Sequence, residues 1–379
     1  MTEPLRVLTV HSLPFQYNVG FGQRNARFVR RRLTPFAHVA GFAESFAPAP
    51  EHGYDLVHSF NAVPVMTRRP SIVTFESFLP RLPSDRATRR TRRVRALLEA
   101  RLRARLAGDD TVALLAMSRY AVRQFEAQNR DADELEVLRA KLRVRYPAIA
   151  LRATEPRELG DELRLLLVGH RYFAKGGSAL LRAHERLRVA GIPVSTTILS
   201  SLQWDADDYI GPPDRAFVER ELRRLDAPGV RVLDHVPRQQ VLELMEQVDF
   251  LVLPTFADTF GYVTIEALAG ATPVIATATC ALPEIVTDGV NGYLLPFEND
   301  DVVGRWSEIP RRRAPGYQQA FEDTTERAAG ALVERLRAVW ADRAAFRRLS
   351  QGAIDSVRER FDVTVARDEL ETLYERCRR

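Results

Sequence analysis

Short apolar runs alternate with helical periodicity along almost the whole chain. In its first part, residues 5–10, 38–42, 55–60, 71–76 and 111–118 read as strands. Residues 146–160 contain Pro147 and Pro156, show no clear period and read as a linker. The pattern then restarts, with strands predicted at 163–169, 195–200, 230–236, 249–254, 273–277 and 293–295. Helices are predicted between them, for example over 175–189 and 238–248. Residues 308–325, with their PRRRAPG run, read as an irregular exposed insertion, and 353–379 as helix broken near Phe361. Strands alternating with helices predict α/β architecture, here two successive Rossmann-like doubly wound domains. The boundaries expected are 1–155, 156–352 and a C-terminal helix over 353–379. Such sheets bind ligands beyond the carboxyl ends of their strands, so the two domains are expected to face each other across a cleft.

Composition narrows the classes. Of 379 residues, 45% are hydrophobic and 28% charged, the balance of a soluble globular protein. The opening MTEPLRVLTV reads as a first strand and not as a leader, and no apolar run is long enough to span a bilayer. Two cysteines, Cys280 and Cys377, have no metal-like spacing, which predicts a reducing compartment without a disulfide framework. The net charge is +5, and of 55 basic residues only Lys141 and Lys175 are lysine. Basic residues are not interleaved with aromatics in a nucleic-acid motif, so no nucleic-acid partner is expected.

Two segments carry candidate chemistry. In residues 248–277 a buried strand ends at Pro254, and a loop with Asp258 and Gly261 follows. A short helix then runs to Gly270, and Pro273 opens the next strand. The loop thus sits at a strand's carboxyl end beside a helix N-terminus, which attracts anions. Glu266, early in that helix, suits a vicinal diol such as a ribose, and Asp258 suits another polyol. Gly261 allows backbone N–H groups to approach a ligand. Residues 165–187 repeat the strand–loop–helix plan, with Lys175, Gly176 and Gly177 at the helix start. A diphosphate leaving group needs positive charge and exposed backbone donors, and this loop offers both.

Together these segments resemble the GT-B glycosyltransferases of family 4, the "group 1" family of retaining enzymes. The family's signature reads here as Asp258, seven residues, Glu266, then ALAGATPVIA. Pro283 to Val286 and Asn291–Gly292 match downstream, and Gly169, Lys175 and Gly176 match the phosphate loop. DLVHSFN, VTFESFLP and AMSRYA fit weaker N-terminal patterns. The final FDVTVARDELETLYERC resembles a closing helix that crosses back onto the first domain. The resemblance implies a UDP- or GDP-sugar donor, hexosyl transfer to a hydroxyl acceptor with retention, and no cofactor or metal. It implies that Glu266 holds the ribose hydroxyls. Asp258 and the backbone of Phe260, Gly261, Tyr262 and Val263 hold the transferred sugar. Lys175, helped by Arg171, stabilises the departing diphosphate, with Gly169 and Gly176 shaping that loop. Gly20 and Gly22 lie under the phosphates or the acceptor, and His58 and Ser118 belong to the acceptor side.

Several positions depart from the family. Asp258 is one methylene shorter than the usual Glu. His170 then Arg171 stand where an Arg follows the loop glycine, and either is a candidate for phosphate. Glu76 stands where many members carry His, with three readings: acceptor binding, proton transfer, or polar lining. Residues 279–281 replace a Gly-Gly. His58 reads equally as site lining or as a structural histidine. Asp205-x-Asp207 reads as a solvated loop and not as a metal triplet. Rival functions are a nucleotide-sugar epimerase or hydrolase on the same fold, and a non-catalytic sugar-nucleotide-binding scaffold.

Residues 81–106 are rich in arginine, with Val94, Leu98, Leu102 and Leu106 four apart. They predict an amphipathic helix. It either packs on the first domain with a solvated basic face or meets an anionic membrane surface or lipid-phosphate acceptor. The expected location is the cytoplasm, at the inner face of the membrane on the second reading. A part in surface-polysaccharide or glycolipid synthesis follows from the same features.

Overall fold

A computed structural model describes residues 3–10, 18, 26–31, 53–82, 89–205 and 210–377. The chain divides into two compact units: Met1–Ala148 with Asp362–Arg379, and Ile149–Phe361. The crossings therefore fall at 148/149 and 361/362, where the sequence pattern suggested 155/156 and 352/353.

Unit 1 runs β1 (Leu5–Val10), β2 (Ala26–Arg31), β3 (Leu56–Phe60), β4 (Ser71–Phe75), α1 (Arg89–Ala107), β5 (Thr111–Ala116), α2 (Arg119–Asn129), α3 (Leu135–Lys141) and β6 (Leu142–Val144). Unit 2 runs β7 (Leu163–Val168), α4 (Gly177–Val189), β8 (Val194–Leu199), α5 (Arg215–Leu222), β9 (Val230–Leu233), α6 (Arg238–Gln247) and β10 (Phe250–Leu253). It continues with α7 (Tyr262–Ala269), β11 (Val274–Thr277), α8 (Leu282–Ile285), β12 (Gly292–Leu295), α9 (Tyr317–Ala341) and α10 (Arg343–Ser356). The last helix, α11 (Val363–Glu375), returns to unit 1. Among the described residues each unit holds a six-stranded sheet, ordered β2-β1-β3-β4-β5-β6 and β12-β11-β10-β7-β8-β9. Every strand pair among the described residues is parallel. No described helix is long and apolar enough to cross a membrane.

Two-sided burial explains the apolar runs, because a parallel sheet is covered on both faces. In unit 1, Leu5, Val7, Leu56, Ile72, Ala113 and Leu115 pack against Leu370, Leu373 and Tyr374 of α11. Their sequence neighbours Val73, Leu114 and Ala116 point the other way, onto Leu102 and Leu106 of α1 and Phe125 of α2. In unit 2, Leu165, Leu167, Phe250 and Val252 share a cluster with residues of α4, α9 and α10.

The differences have physical causes. The 38–42 strand lies outside the described residues. β2 (ARFVRR) was not predicted because its arginines break the apolar run, and β6 was not because it has three residues. Residues 317–325 are helix and not an irregular insertion: Gly316 takes φ +89° and α9 buries Tyr317, Phe321, Thr324, Thr325 and Ala328 on one side. The 146–160 linker is pinned to unit 2 from Ile149 onward. Ile149 N–H donates to the Phe361 carbonyl at 2.9 Å, and Arg152 and Ala153 N–H both donate to that of Ala269 at 2.9 and 3.0 Å. Arg157 donates to the Val248 carbonyl at 2.6 Å and to Thr272 at 3.0 Å.

Candidate functional site

The site of unit 2 is built where β7 and β10, neighbours in the sheet, end together. β7 passes into Gly169, and a turn closed by Lys175 N–H on the Arg171 carbonyl (2.9 Å) leads into α4. A Cβ on Gly169 would stand 2.7 Å from Lys175 Cγ, so the lysine stem lies across that glycine. Gly176 adopts φ +80°, and a Cβ there would meet the Pro254 carbonyl oxygen at 2.0 Å. A glycine is required for both reasons, and it lets the Lys175 turn rest directly on the end of β10. Phe256 N–H and the Thr255 hydroxyl both donate to the Ala174 carbonyl, at 2.9 and 3.0 Å. The two loops thus hold each other by backbone contacts that do not depend on their charged side chains.

Across this junction Lys175 Nζ donates to Asp258 Oδ2 at 2.6 Å, with side chains 21% and 17% exposed. Both groups retain access to solvent and neutralise each other. Below the loop, Phe256 stacks on Phe321 (ring centroids 4.3 Å apart) and meets Trp306 edge-on at 4.7 Å. The segment after β12 therefore supplies aromatic support for Asp258. Sequence reasoning missed this because the supporting rings lie 50 and 65 residues further along the chain.

Past Asp258, Phe260 is buried and Gly261 takes φ +83° as the cap of α7. Tyr262 and Val263, half-buried, open that helix, and the Thr264 N–H donates to the Gly261 carbonyl at 2.9 Å. Glu266 is 7% exposed, and Arg238 at the start of α6 donates to its Oε1 at 3.1 Å. Arg238 was not singled out in the sequence; its place just after Val236-Pro237, beyond a strand's carboxyl end, was the available signal. Its charge makes the burial of Glu266 tolerable. His170 and Arg171 are both exposed, and the His170 carbonyl accepts from Ser200 and Ser201 at 3.0 and 3.3 Å. Unit 2 thus aligns a cation, a carboxylate and a second carboxylate–guanidinium pair along one sheet edge. That edge suits a diphosphate at one end and hydroxyl pairs at the other.

In unit 1, Glu76 follows β4 and lies beside Asn61, which follows β3. Glu76 Oε1 accepts from Arg81 Nη2 at 2.8 Å and from Asn61 Nδ2 at 3.3 Å. His58 and Ser118 require correction. His58 is 1% exposed; its Nδ1 lies 2.8 Å from the Tyr374 hydroxyl and its Nε2 2.7 Å from Thr74 Oγ1. Burial, with the nearby Arg145 charge, lowers its pKa to about 3. It is a neutral structural histidine, because both ring nitrogens are spent inside unit 1. Ser118 is fully buried and caps α2, accepting from Ala121 N–H at 3.0 Å. Gly20, Gly22 and Asp207 lie outside the described residues. Among the described residues no three of His, Cys, Asp and Glu gather as a metal set.

Comparison with known proteins falls on the same segment. Residues 162–305 match the family described as glycosyl transferases group 1. D-inositol 3-phosphate glycosyltransferase of Paenarthrobacter aurescens is 27% identical over 215 residues, 55% of this chain and 46% of the relative. That of Streptomyces griseus is 32% identical over 117 residues, 28% of this chain and 25% of the relative. The matched region thus spans less than half the length of these relatives. In fold the likeness is full-length and shows GT-B architecture. Sucrose-phosphate synthase from Thermosynechococcus elongatus superposes with TM-score 0.62 at 17% identity, covering 99% of each chain. Anabaena HepE, solved with UDP-glucose, gives 0.59 at 16%, covering 98% of this chain and all of that one.

Proposed function

We propose that this chain is a glycosyltransferase that draws a sugar from a nucleotide-sugar donor held by unit 2. The observation that carries the reading is the Lys175–Asp258 pair at 2.6 Å, on the sheet edge that also presents Glu266. The reading gives Lys175 the diphosphate, Asp258 the hydroxyls of the transferred sugar and Glu266 the ribose diol. Donor binding then exchanges partners: diphosphate oxygens replace Asp258 on Lys175, and the released carboxylate takes sugar hydroxyls. Arg238 keeps Glu266 oriented, and Arg171 is the second cation for the phosphates.

The finer reading is retaining hexosyl transfer of the family 4 kind, from a UDP- or GDP-sugar and without a metal. As the bond from C1 to the leaving phosphate oxygen breaks, C1 bonds to the acceptor oxygen on the same face. The acceptor proton passes to the departing phosphate oxygen. Lys175 stabilises the charge that develops there, in a place arranged before reaction begins. The arginine-rich stretch of α1 around the exposed Arg93, Val94 and Leu97 is assigned to an anionic membrane surface, in keeping with synthesis of a surface glycan or glycolipid.

Calorimetry with UDP and GDP, followed by product analysis with and without acceptor, tests the reading. Saturable nucleotide binding with acceptor-dependent transfer is expected. Donor consumption that ignores acceptor would mean a hydrolase or epimerase, and failure to bind either nucleotide would remove the donor site.

A further inference from the structure

The carboxyl ends of β3 and β4 carry a second polar cluster. Asn61 and Glu76 follow adjacent parallel strands, in the position where open α/β sheets take ligands. Asn61 holds Glu76 at two points: its Oδ1 accepts from the Glu76 backbone N–H at 3.2 Å and its Nδ2 donates to the carboxylate at 3.3 Å. Arg81 Nη2 donates to the same Oε1 at 2.8 Å and to Ser77 Oγ at 3.2 Å. These contacts occupy one carboxylate oxygen and one guanidinium nitrogen. Among the described residues Glu76 Oε2 and the Nε and Nη1 of Arg81 have no hydrogen-bond partner, and the side chains are 21% and 39% exposed. Phe78, in the same short loop, is 41% exposed.

We infer that this loop is the acceptor subsite and that it takes a neutral hydroxylated ring, a sugar or cyclitol, in preference to a phosphorylated group. The inference rests on the glycosyl-transfer reading of unit 2. A vicinal diol presents one hydroxyl to donate and one to accept. Glu76 Oε2 and the remaining edge of Arg81 offer the complementary acceptor and donors side by side, as two rigid planar groups. Phe78 supplies an apolar surface for the ring's C–H face, the mixture of few polar groups and an aromatic that small-molecule sites use. The cluster's charge is balanced, one carboxylate to one guanidinium. A phosphate on Arg81 would face the Glu76 carboxylate, whereas uncharged hydroxyls satisfy both.

The test titrates the full chain, with UDP or GDP present, with methyl α-D-glucopyranoside, methyl α-D-mannopyranoside, methyl α-D-galactopyranoside, myo-inositol and inorganic phosphate. Saturable binding of at least one neutral ring is expected, without competition from phosphate. Arg81→Ala and Phe78→Ala are each expected to weaken it tenfold or more while nucleotide affinity stays within twofold. Arg81→Lys is expected to weaken it as much as Arg81→Ala, because an ammonium lacks the planar fork. Three results overturn the inference: phosphate competing with rescue by Arg81→Lys; no neutral ring binding to a chain that binds nucleotide; or variants that lower the melting temperature yet bind the ring normally. A chain that binds a ring in an Arg81-dependent way and binds no nucleotide keeps the ring site and removes the transfer reading.

Discussion

A chain that writes almost every cation as arginine uses lysine twice, and both ammonium groups sit where a compact charge meets converging oxygens. Lys141 Nζ donates to the Ala107 and Gly108 carbonyls at 2.7 Å each and approaches that of Leu106 at 3.4 Å. It caps the end of α1, where backbone carbonyls lack partners and the helix dipole favours a cation. Partial burial lowers its pKa. Lys141→Met is expected to cost about 1–2 kcal/mol, read as a lower urea midpoint at unchanged slope. Lys175, on Asp258, is the lysine to which the proposed function gives the leaving diphosphate. Lys175→Ala is expected to cut turnover about 100- to 1,000-fold while the fold survives, and near wild-type turnover would remove its role at the leaving group. Gly176→Ala combines a strained φ with a collision against Pro254. It is expected to destabilise by about 1–3 kcal/mol or more and to weaken nucleotide binding together with stability.

At the scale of elements, α1 shows why a four-residue spacing is an imperfect stripe. Each step of four turns about 40° past a full circle, so Val94 lies about 120° round the helix from Leu106. Leu102 and Leu106 are accordingly buried, whereas Val94 and Leu97 are 53% and 72% exposed. Leu102 and Leu106 in its second half thus face the core, whereas Arg93, Val94 and Leu97 before them are exposed. Leu102→Ala is expected to cost about 2–5 kcal/mol through the cavity it leaves. Leu97→Asp is expected to leave stability unchanged and to reduce co-sedimentation with anionic vesicles. Equal wild-type partitioning onto neutral and anionic vesicles counts against membrane contact.

At the scale of the molecule, α11 belongs to the first unit although it is the last element of the chain. It lays Leu370, Leu373 and Tyr374 on the sheet and closes His58 from solvent. The buried imidazole favours its neutral form, so its folded pKa lies below the ordinary 6.5, at about 3. The unfolded chain then binds the proton first. The stabilisation is complete above pH 6.5 and is lost as pH falls from there toward 3. At pH 5.5 the loss from His58 alone is about 1.4 kcal/mol relative to pH 7.5. His184, whose pKa is also lowered by burial, adds in the same direction. Denaturant midpoints at the two pH values measure this, and a pH-independent midpoint would exclude a neutral buried His58.

Much of this was legible in the residues. Local pattern alone determined the strand–helix alternation, the parallel sheets and the order of Asp258, Glu266 and Lys175, because each depends on neighbours a few positions apart. Other features depend on which distant side chains meet, and only the tertiary structure decided them. It joined Lys175 to Asp258, set Arg238 on Glu266 and put Phe321 and Trp306 beneath Phe256. It decided His58 for its structural reading, turned Ser118 from site lining into a buried helix cap and brought Asn61, Glu76 and Arg81 together. Sequence spacing fixes periodicity along an element, while burial and pairing arise when elements from remote parts of the chain compete for the same space.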